Sequence, residues 1–246
     1  GLVGSEMCIR DSSYSVFPLL YHKSILFYSA EFLTGEFFGL LRNILKEKWR
    51  NHLAIKIYID QGHNPEGINA GAEGFGIREQ DITYQVGHFL FDILSEDYRF
   101  TARLSRPTPQ TTLGYSNTSS LKERVTQANT WKADYFISIH ANASENPDIN
   151  GTEAYVSSAN SAAWYLAQNI VSEIVRRTST KYNGVFTRPS LYVLKNTKMP
   201  AVLVELGYIT NYEDNQRMID NPYQFAYGIY VGILNYLELP QKNTDL

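Results

Sequence analysis

The order of short apolar runs and longer amphipathic segments after Leu53 constrains the fold more than any other feature of this chain. Ile55–Asp60 (IKIYID) places Ile55, Ile57 and Ile59 in strict alternation, the pattern of a strand. Glu79–Glu96 follows, with Ile82, Val86, Phe89, Leu90, Ile93 and Leu94 on one helical face. A strand over Phe100–Ser105 comes next, then a helix capped by Ser119 or Ser120 and running to Trp131. Strands follow over Tyr135–His140 (YFISIH) and Thr152–Val156, and then a helix over Ser161–Thr178 with Ala163, Leu166, Ile170 and Ile174 aligned. Two further apolar strands are predicted at Leu191–Leu194 and Ala201–Glu205, and a closing helix at Phe225–Leu237. Strands separated by helices of more than about 12 residues need crossover connections, which run the strands parallel. Crossovers also place helices on the faces of the sheet. The expected fold is therefore α/β: a single domain with a mostly parallel central sheet flanked by helices on both faces. Arg106–Thr118 and Asn142–Gly151 are too polar and turn-rich for the core and read as loops.

The rest of the chain narrows the function by exclusion. Among 246 residues, 43% are hydrophobic and 18 are tyrosines, enough to build a core and to exclude disorder. The net charge is −3 with no basic block, which gives nucleic-acid binding no electrostatic support. Cys8 is the one cysteine, so there is no internal disulfide and no multi-cysteine zinc ribbon. The most apolar early stretch, Val16 to Leu41, is broken by His22, Lys23, Glu31 and Glu36, so no membrane span is expected. No basic n-region precedes a clean apolar run, so no clear signal peptide is read here. Gly1 to Ser12 (GLVGSEMCIRDS) looks foreign to a fold. The following stretch offers one candidate helix, Phe37–Trp49, but no site feature. The expected division is an atypical N-terminal extension over 1–52, read either as non-native or artefactual upstream sequence or as a genuine but partly degraded targeting segment, a folded catalytic domain over 53–240 and a loose tail over 241–246.

Three of the predicted strands lead to ionisable residues: the first to His63, the third to His140 and the last to Glu205. In an open α/β sheet the ligand crevice lies beyond the carboxyl ends of the strands, so parallel strands bring these side chains to one edge. Glu79 heads the apolar stripe of its helix and faces inward, which is costly without a cation or hydrogen bonds. Two neutral imidazoles and a carboxylate are a recurrent catalytic zinc set with a fourth position left for water. Zinc lowers the pKa of such a water to about 7. A carboxylate off the metal then serves as general base and acid, the role that fits Glu205. Taken singly, each residue has a plainer reading: a structural histidine, a glutamate favoured by the helix dipole, a surface glutamate. Their coincidence at one predicted crevice is what points to amide hydrolysis. Two rivals stand beside this. His63-Asn64-Pro65-Glu66 has the His-x-x-Glu ligand spacing of zinc carboxypeptidases, with Glu66 replacing Glu79. Ser138 lies two residues before His140 on the same strand face, although no Gly-x-Ser-x-Gly turn is present. His88 lies off the apolar stripe of its helix and reads as a rim residue.

Six motifs, in order, carry a resemblance: IDQGHN (Ile59–Asn64), REQD (Arg78–Asp81), LKERVTQAN (Leu121–Asn129), SIHANA (Ser138–Ala143), GTEAYV (Gly151–Val156) and LYVLKNTKMPAVLVELGYITN (Leu191–Asn211). Over roughly Ile55 to Leu237 the chain resembles the zinc-dependent N-acetylmuramoyl-L-alanine amidases of the type-3 class, bacterial cell-wall hydrolases. The resemblance implies one zinc ion held by His63, Glu79 and His140, with Glu205 as the catalytic glutamate. It implies hydrolysis of the amide between the lactyl group of N-acetylmuramic acid and L-alanine of the stem peptide. By the same resemblance the partner is peptidoglycan, the location secreted or cell-wall associated, and the protein a monomer. A wall-binding module without catalysis is the further alternative. The family often has Pro-Gly-His with glycines following, whereas this chain has Gln61-Gly62-His63-Asn64-Pro65. The stretch between Ala143 and Gly151 is too short for a long insertion over the zinc. The glycine-rich loop from His63 to Glu79 is expected to be a flexible wall of the groove.

Overall fold

The computed structural model describes residues 54–241. The chain divides into two units between His52 and Leu53, and the described residues belong to the second. The candidate helix over Phe37–Trp49, together with Cys8, His22 and His52, lies outside the described residues.

Six strands form the central sheet: β1 (Ile55–Gln61), β4 (Phe100–Leu104), β5 (Tyr135–Asn142), β6 (Thr152–Val156), β7 (Tyr182–Thr187) and β8 (Ala201–Tyr208). Their order across the sheet is β4-β1-β5-β8-β6-β7. The first four in that order run parallel to one another, as the crossover lengths require. β6 pairs with β8 antiparallel and with β7 parallel. A short hairpin, β2 (Glu73–Gly74) and β3 (Ile77–Arg78), stands apart from this sheet and leads into the first helix.

Side chains alternate across each strand, so the sheet has two distinct faces. Ile57, Ile59, Ile137, Ile139, Ala154, Val202 and Val204 belong to the larger core. That core is completed by α1 (Glu79–Glu96), α3 (Ala162–Thr178) and α6 (Pro222–Tyr236). Tyr58, Phe136, Tyr155, Ala201 and Leu203 belong to a smaller core under α2 (Asn117–Trp131) and α4 (Tyr192–Asn196). Helices thus cover both faces, and the site-bearing residues that continue the second alternation belong to the more thinly covered face.

Several predicted boundaries are moved by local chemistry. The cap of α2 is Ser116, not Ser119 or Ser120; Ser119 stands at the third helical position and returns its side chain to the Ser116 backbone, a reciprocal capping box. The apolar run Leu191–Leu194 is not a strand. Tyr192–Asn196 is a helical turn that buries Val193 and Leu194 in the smaller core; so short a run has no period that separates strand from helix. Two elements have no counterpart in the apolar pattern. β7 (YNGVFT) is an edge strand with mostly accessible residues, and α5 (Tyr212–Asp220) buries Met218 as its one apolar residue. The cap of α5 was written in the sequence: the Asn211 side chain accepts from Asp214 N–H, with Glu213 and Asp214 in the first turn.

Candidate active site

β1, β5 and β8 carry their ends to one edge of the sheet, and the register there builds the site. His140 of β5 stands opposite Glu205 of β8, and Glu205 stands opposite Glu153 of β6. Register partners share a face, so His140, Glu205 and Glu153 form a row across three strands. One strand further, Asp60 of β1 is level with Ser138 of β5.

His63 joins this edge through a turn that the sequence controls residue by residue. Gly62 donates its N–H to Ile139 O at 3.0 Å, which extends β1 past its last paired residue. A Cβ at Gly62 would stand 2.5 Å from Cε1 and 2.7 Å from Nε2 of His140, so only glycine lets the second imidazole lie against the turn. His63 then adopts a left-handed backbone, φ 67°. Arg124 clamps the carbonyls on either side of Gly62: its Nη1 donates to Gln61 O and its Nη2 to His63 O, both at 2.6 Å. Nη1 also meets Asp60 Oδ1 at 2.6 Å, and Ser138 Oγ donates to Asp60 Oδ2 at 2.8 Å. Arg124, Asp60 and Ser138 are all buried. Burial alone would raise the Asp60 pKa; the Arg124 guanidinium outweighs it and holds the carboxyl below its ordinary value. Ser138 is therefore engaged as a donor to a carboxylate, which removes the Ser–His reading.

The departure at Gln61 also has its reason. The Gln61 N–H donates to Ser105 Oγ at 3.0 Å, a bond that proline cannot make. Its side-chain Oε1 accepts from Arg106 N at 2.8 Å. Asn64 exchanges hydrogen bonds with both backbone groups of Leu113, and Asn69 is tied to Asn117 and Ser120. Gly71 N–H donates to Gln80 Oε1 and Ala72 N–H to Glu79 Oε2. The loop between His63 and Glu79, expected to be flexible, is instead pinned along its length by hydrogen bonds.

At the centre, Glu79 Oε1 lies 2.9 Å from His63 Nε2 and 2.9 Å from His140 Nδ1. The same oxygen accepts Ala141 N–H at 3.1 Å. Glu79 is buried; burial would raise its pKa, but the two imidazoles outweigh that and hold it well below the usual carboxylate range. Among the described residues, His63, Glu79 and His140 are the group whose ligand atoms converge, all within 4.8 Å of one another. Around a tetrahedral zinc with bonds of about 2.0–2.1 Å the ligand atoms stand roughly 3.3 Å apart, so small adjustments admit the ion. The ring geometry agrees: His63 Nδ1 lies 3.2 Å from Asn69 O, which leaves Nε2 directed at Glu79. The residues present thus fit zinc. Glu66 is exposed and outside this cluster, so the carboxypeptidase-like ligand set is not what the fold assembles.

Glu205 is half-buried as a residue, yet its Oε2 is shut from solvent and has no hydrogen-bond partner. Burial first, then the charges of Glu79 and Glu153, push its carboxyl well above its ordinary value, with Arg188 opposing. Such an unsatisfied buried carboxyl is costly for folding. Glu153 beside it accepts from Asn142 Nδ2 at 2.9 Å, from Tyr208 OH at 3.3 Å and from Tyr155 OH. His88 stays away from this edge; it packs against Tyr84 on the side of α1, ring centroids 4.3 Å apart.

The residues the sequence reading left unassigned are Asp60, Arg124, Asn69 and Glu153. Asp60, Arg124 and Glu153 lie inside the quoted motifs, but their roles depend on partners 64 and 52 residues away in the chain for Asp60–Arg124 and Glu153–Glu205.

Comparison with known proteins bears on what this geometry belongs to. The profile of the Amidase_3 family, described as N-acetylmuramoyl-L-alanine amidase, matches residues 57–235. N-acetylmuramoyl-L-alanine amidase LytC of Bacillus subtilis (strain 168) is 33% identical over 186 residues, 73% of this chain and 35% of LytC, so the chain spans about a third of that relative. The uncharacterized protein YqiI of the same organism is 34% identical over 186 residues, covering 74% of this chain and 84% of YqiI. The crystal structure of an N-acetylmuramoyl-L-alanine amidase from Clostridium difficile 630 aligns with a TM-score of 0.68 at 31% identity, over 76% of this chain and 98% of that one. With the match running through β1, β5 and β8 and the residues they carry, this chain belongs to the Amidase_3 family of N-acetylmuramoyl-L-alanine amidases.

Proposed function

We propose that this chain is a zinc-dependent amidase of peptidoglycan, hydrolysing the amide between the lactyl group of N-acetylmuramic acid and L-alanine of the stem peptide. The observation that carries this is the convergence of His63 Nε2, His140 Nδ1 and Glu79 Oε1 at one sheet edge, with the unpartnered Glu205 carboxyl beside them. His63, Glu79 and His140 would hold the ion, which supplies Lewis acidity to polarise the scissile carbonyl and acidify a water. Glu205 takes a proton from the attacking water and delivers it to the leaving nitrogen, so the carbonyl carbon gains a C–O bond, the C–N bond breaks, and L-alanine leaves with a free amine. Asn69 and Arg124 hold His63 in orientation, through its Nδ1 and its carbonyl.

The catalytic unit in this reading is residues 53–240, with 1–52 as an extension and 241–246 as a tail that the reaction does not need. It works as a monomer on wall material, secreted or wall associated. The test is product analysis: protein incubated with peptidoglycan fragments should release stem peptides with free N-terminal L-alanine, stop with chelator and resume with zinc. Zinc-loaded protein that leaves the lactyl–alanine bond whole would sink the proposal. If the fold serves wall binding alone, Glu205→Ala will change no measurable activity.

A further inference from the structure

The face of the sheet that carries Glu205 is roofed by α2 and α4 over β1, β5 and β8, and the roof thins toward β6 and β7. There the register sets Gly184 opposite Glu153 and Phe186 opposite Tyr155. Tyr182 and Phe186 are 47% and 45% exposed. A Cβ at Gly184 would find their rings at 3.8 and 4.0 Å, so they flank a low point in the sheet directly beside Glu153. Arg188 follows β7. Its N–H donates to Val156 O at 2.8 Å, which fixes its backbone, and its guanidinium carbon lies 4.3 Å from the centroid of the Tyr155 ring. That ring is in turn held by its hydroxyl on Glu153.

The ion pairs among the described residues engage Arg78, Arg99, Arg124, Arg176, Arg177 and Arg217 and leave Arg103, Arg106 and Arg188 without one; of these three, Arg188 lies on the Tyr155 ring beside this floor. A guanidinium whose carbon lies over an aromatic ring keeps N–H groups that can bind a carboxylate through two parallel bonds. Its charge is also felt at the reacting end of the face, where it opposes the upward shifts of Glu205 and Tyr208. On this floor of acidic side chains, Arg188 is the cation that an anionic substrate group would meet.

We propose that Arg188, stacked on Tyr155, is an anion subsite that takes a carboxylate of a peptide lying from Glu205 across β6 and β7. The inference rests on the amidase reading for the identity of that peptide, the leaving stem peptide, and it makes a free carboxylate on that peptide a specificity element.

The test uses the zinc-loaded 246-residue chain and two alanyl peptides that differ only in a free or an amidated carboxylate at the second residue, with calorimetric binding as the readout. Wild type is expected to bind the carboxylate form about tenfold more tightly, the scale of a charge-assisted bidentate contact. Arg188→Gln should bring that ratio close to one, and Arg188→Lys should keep part of it. Arg188→Gln with an unchanged circular dichroism spectrum and the wild-type ratio overturns the inference, as does a wild type with no preference. Hydrolysis of the corresponding muramoyl peptides is followed in parallel. A wild type that discriminates through Arg188 without cutting the lactyl–alanine bond rejects the amidase reading and keeps the subsite. A wild type that cuts, with an Arg188→Gln ratio like its own, keeps the reaction and rejects the subsite.

Discussion

Gly62 shows how much of the site depends on a missing side chain. His140 packs where a Cβ would be, so Gly62→Ala must displace either the imidazole or the turn carrying His63. Zinc affinity, measured by competition with a chromophoric chelator, is expected to fall about ten- to a hundredfold, the range seen when the support of a ligand is disturbed. Glu205 is the converse case, a side chain whose presence costs stability. Glu205→Gln should keep zinc and lose roughly 10²–10⁴-fold of hydrolytic rate, the usual span of general acid–base catalysis. Its stability effect has the opposite sign. The folded state raises this carboxyl above its ordinary 4.5, so in metal-free protein stability declines as pH rises from that value toward the folded pKa. Metal-free Glu205→Gln is therefore expected to melt a few degrees above metal-free wild type at pH 7 by calorimetry. Equal melting temperatures would show that Glu205 carries no such burden.

Between elements, the buried Asp60–Arg124 pair joins α2 to the end of β1 and sets the left-handed turn at His63. Asp60→Asn leaves a buried guanidinium without its counter-charge and is expected to cost about 3–5 kcal/mol in urea unfolding. The pH dependence follows from the depressed Asp60 value. Its contribution is present above the unfolded value of 3.8 and is lost as pH falls through the lower folded value, so wild type should lose stability below about pH 4 more steeply than Asp60→Asn. Parallel acid-unfolding curves would contradict this. The elements also show where a linear reading stops. α1 was legible to its bounds because an apolar stripe of Ile82, Val86, Leu90 and Leu94 repeats every fourth residue. α4, β7 and α5 were not: the first is a single turn, the second an edge with exposed rings, and the third buries Asp214 and Asn215 for hydrogen bonds rather than for apolar contact. Asp214 accepts from Gly151 N–H and Tyr208 N–H, and Asn215 donates to Gly74 O and Ile209 O, so α5 exists to tie loops that only the fold brings together.

For the molecule as a whole, metal and fold are linked. Ligand atoms from a turn after β1, the head of α1 and the end of β5 converge only when the sheet is closed. Zinc at a hundred times its dissociation constant should therefore add about 2.7 kcal/mol to stability, seen as a melt several degrees higher than in chelator. Coincident melts would mean that the cluster does not hold the ion.

The sequence by itself determined the α/β class, the parallel core of the sheet and the four residues His63, Glu79, His140 and Glu205 as candidates. Hydrophobic period and crossover length are local quantities, and strand ends in such a sheet share one edge. The tertiary structure decided between Glu79 and Glu66 as the third member of the cluster and engaged Ser138 as a hydrogen-bond donor to Asp60. It turned the glycine-rich loop from a flexible wall into a pinned one, set Glu153 beside Glu205 and placed Arg188 over Tyr155. Each of these depends on strand register and buried hydrogen bonds between residues far apart in the chain, and neither has a period that a sequence can display.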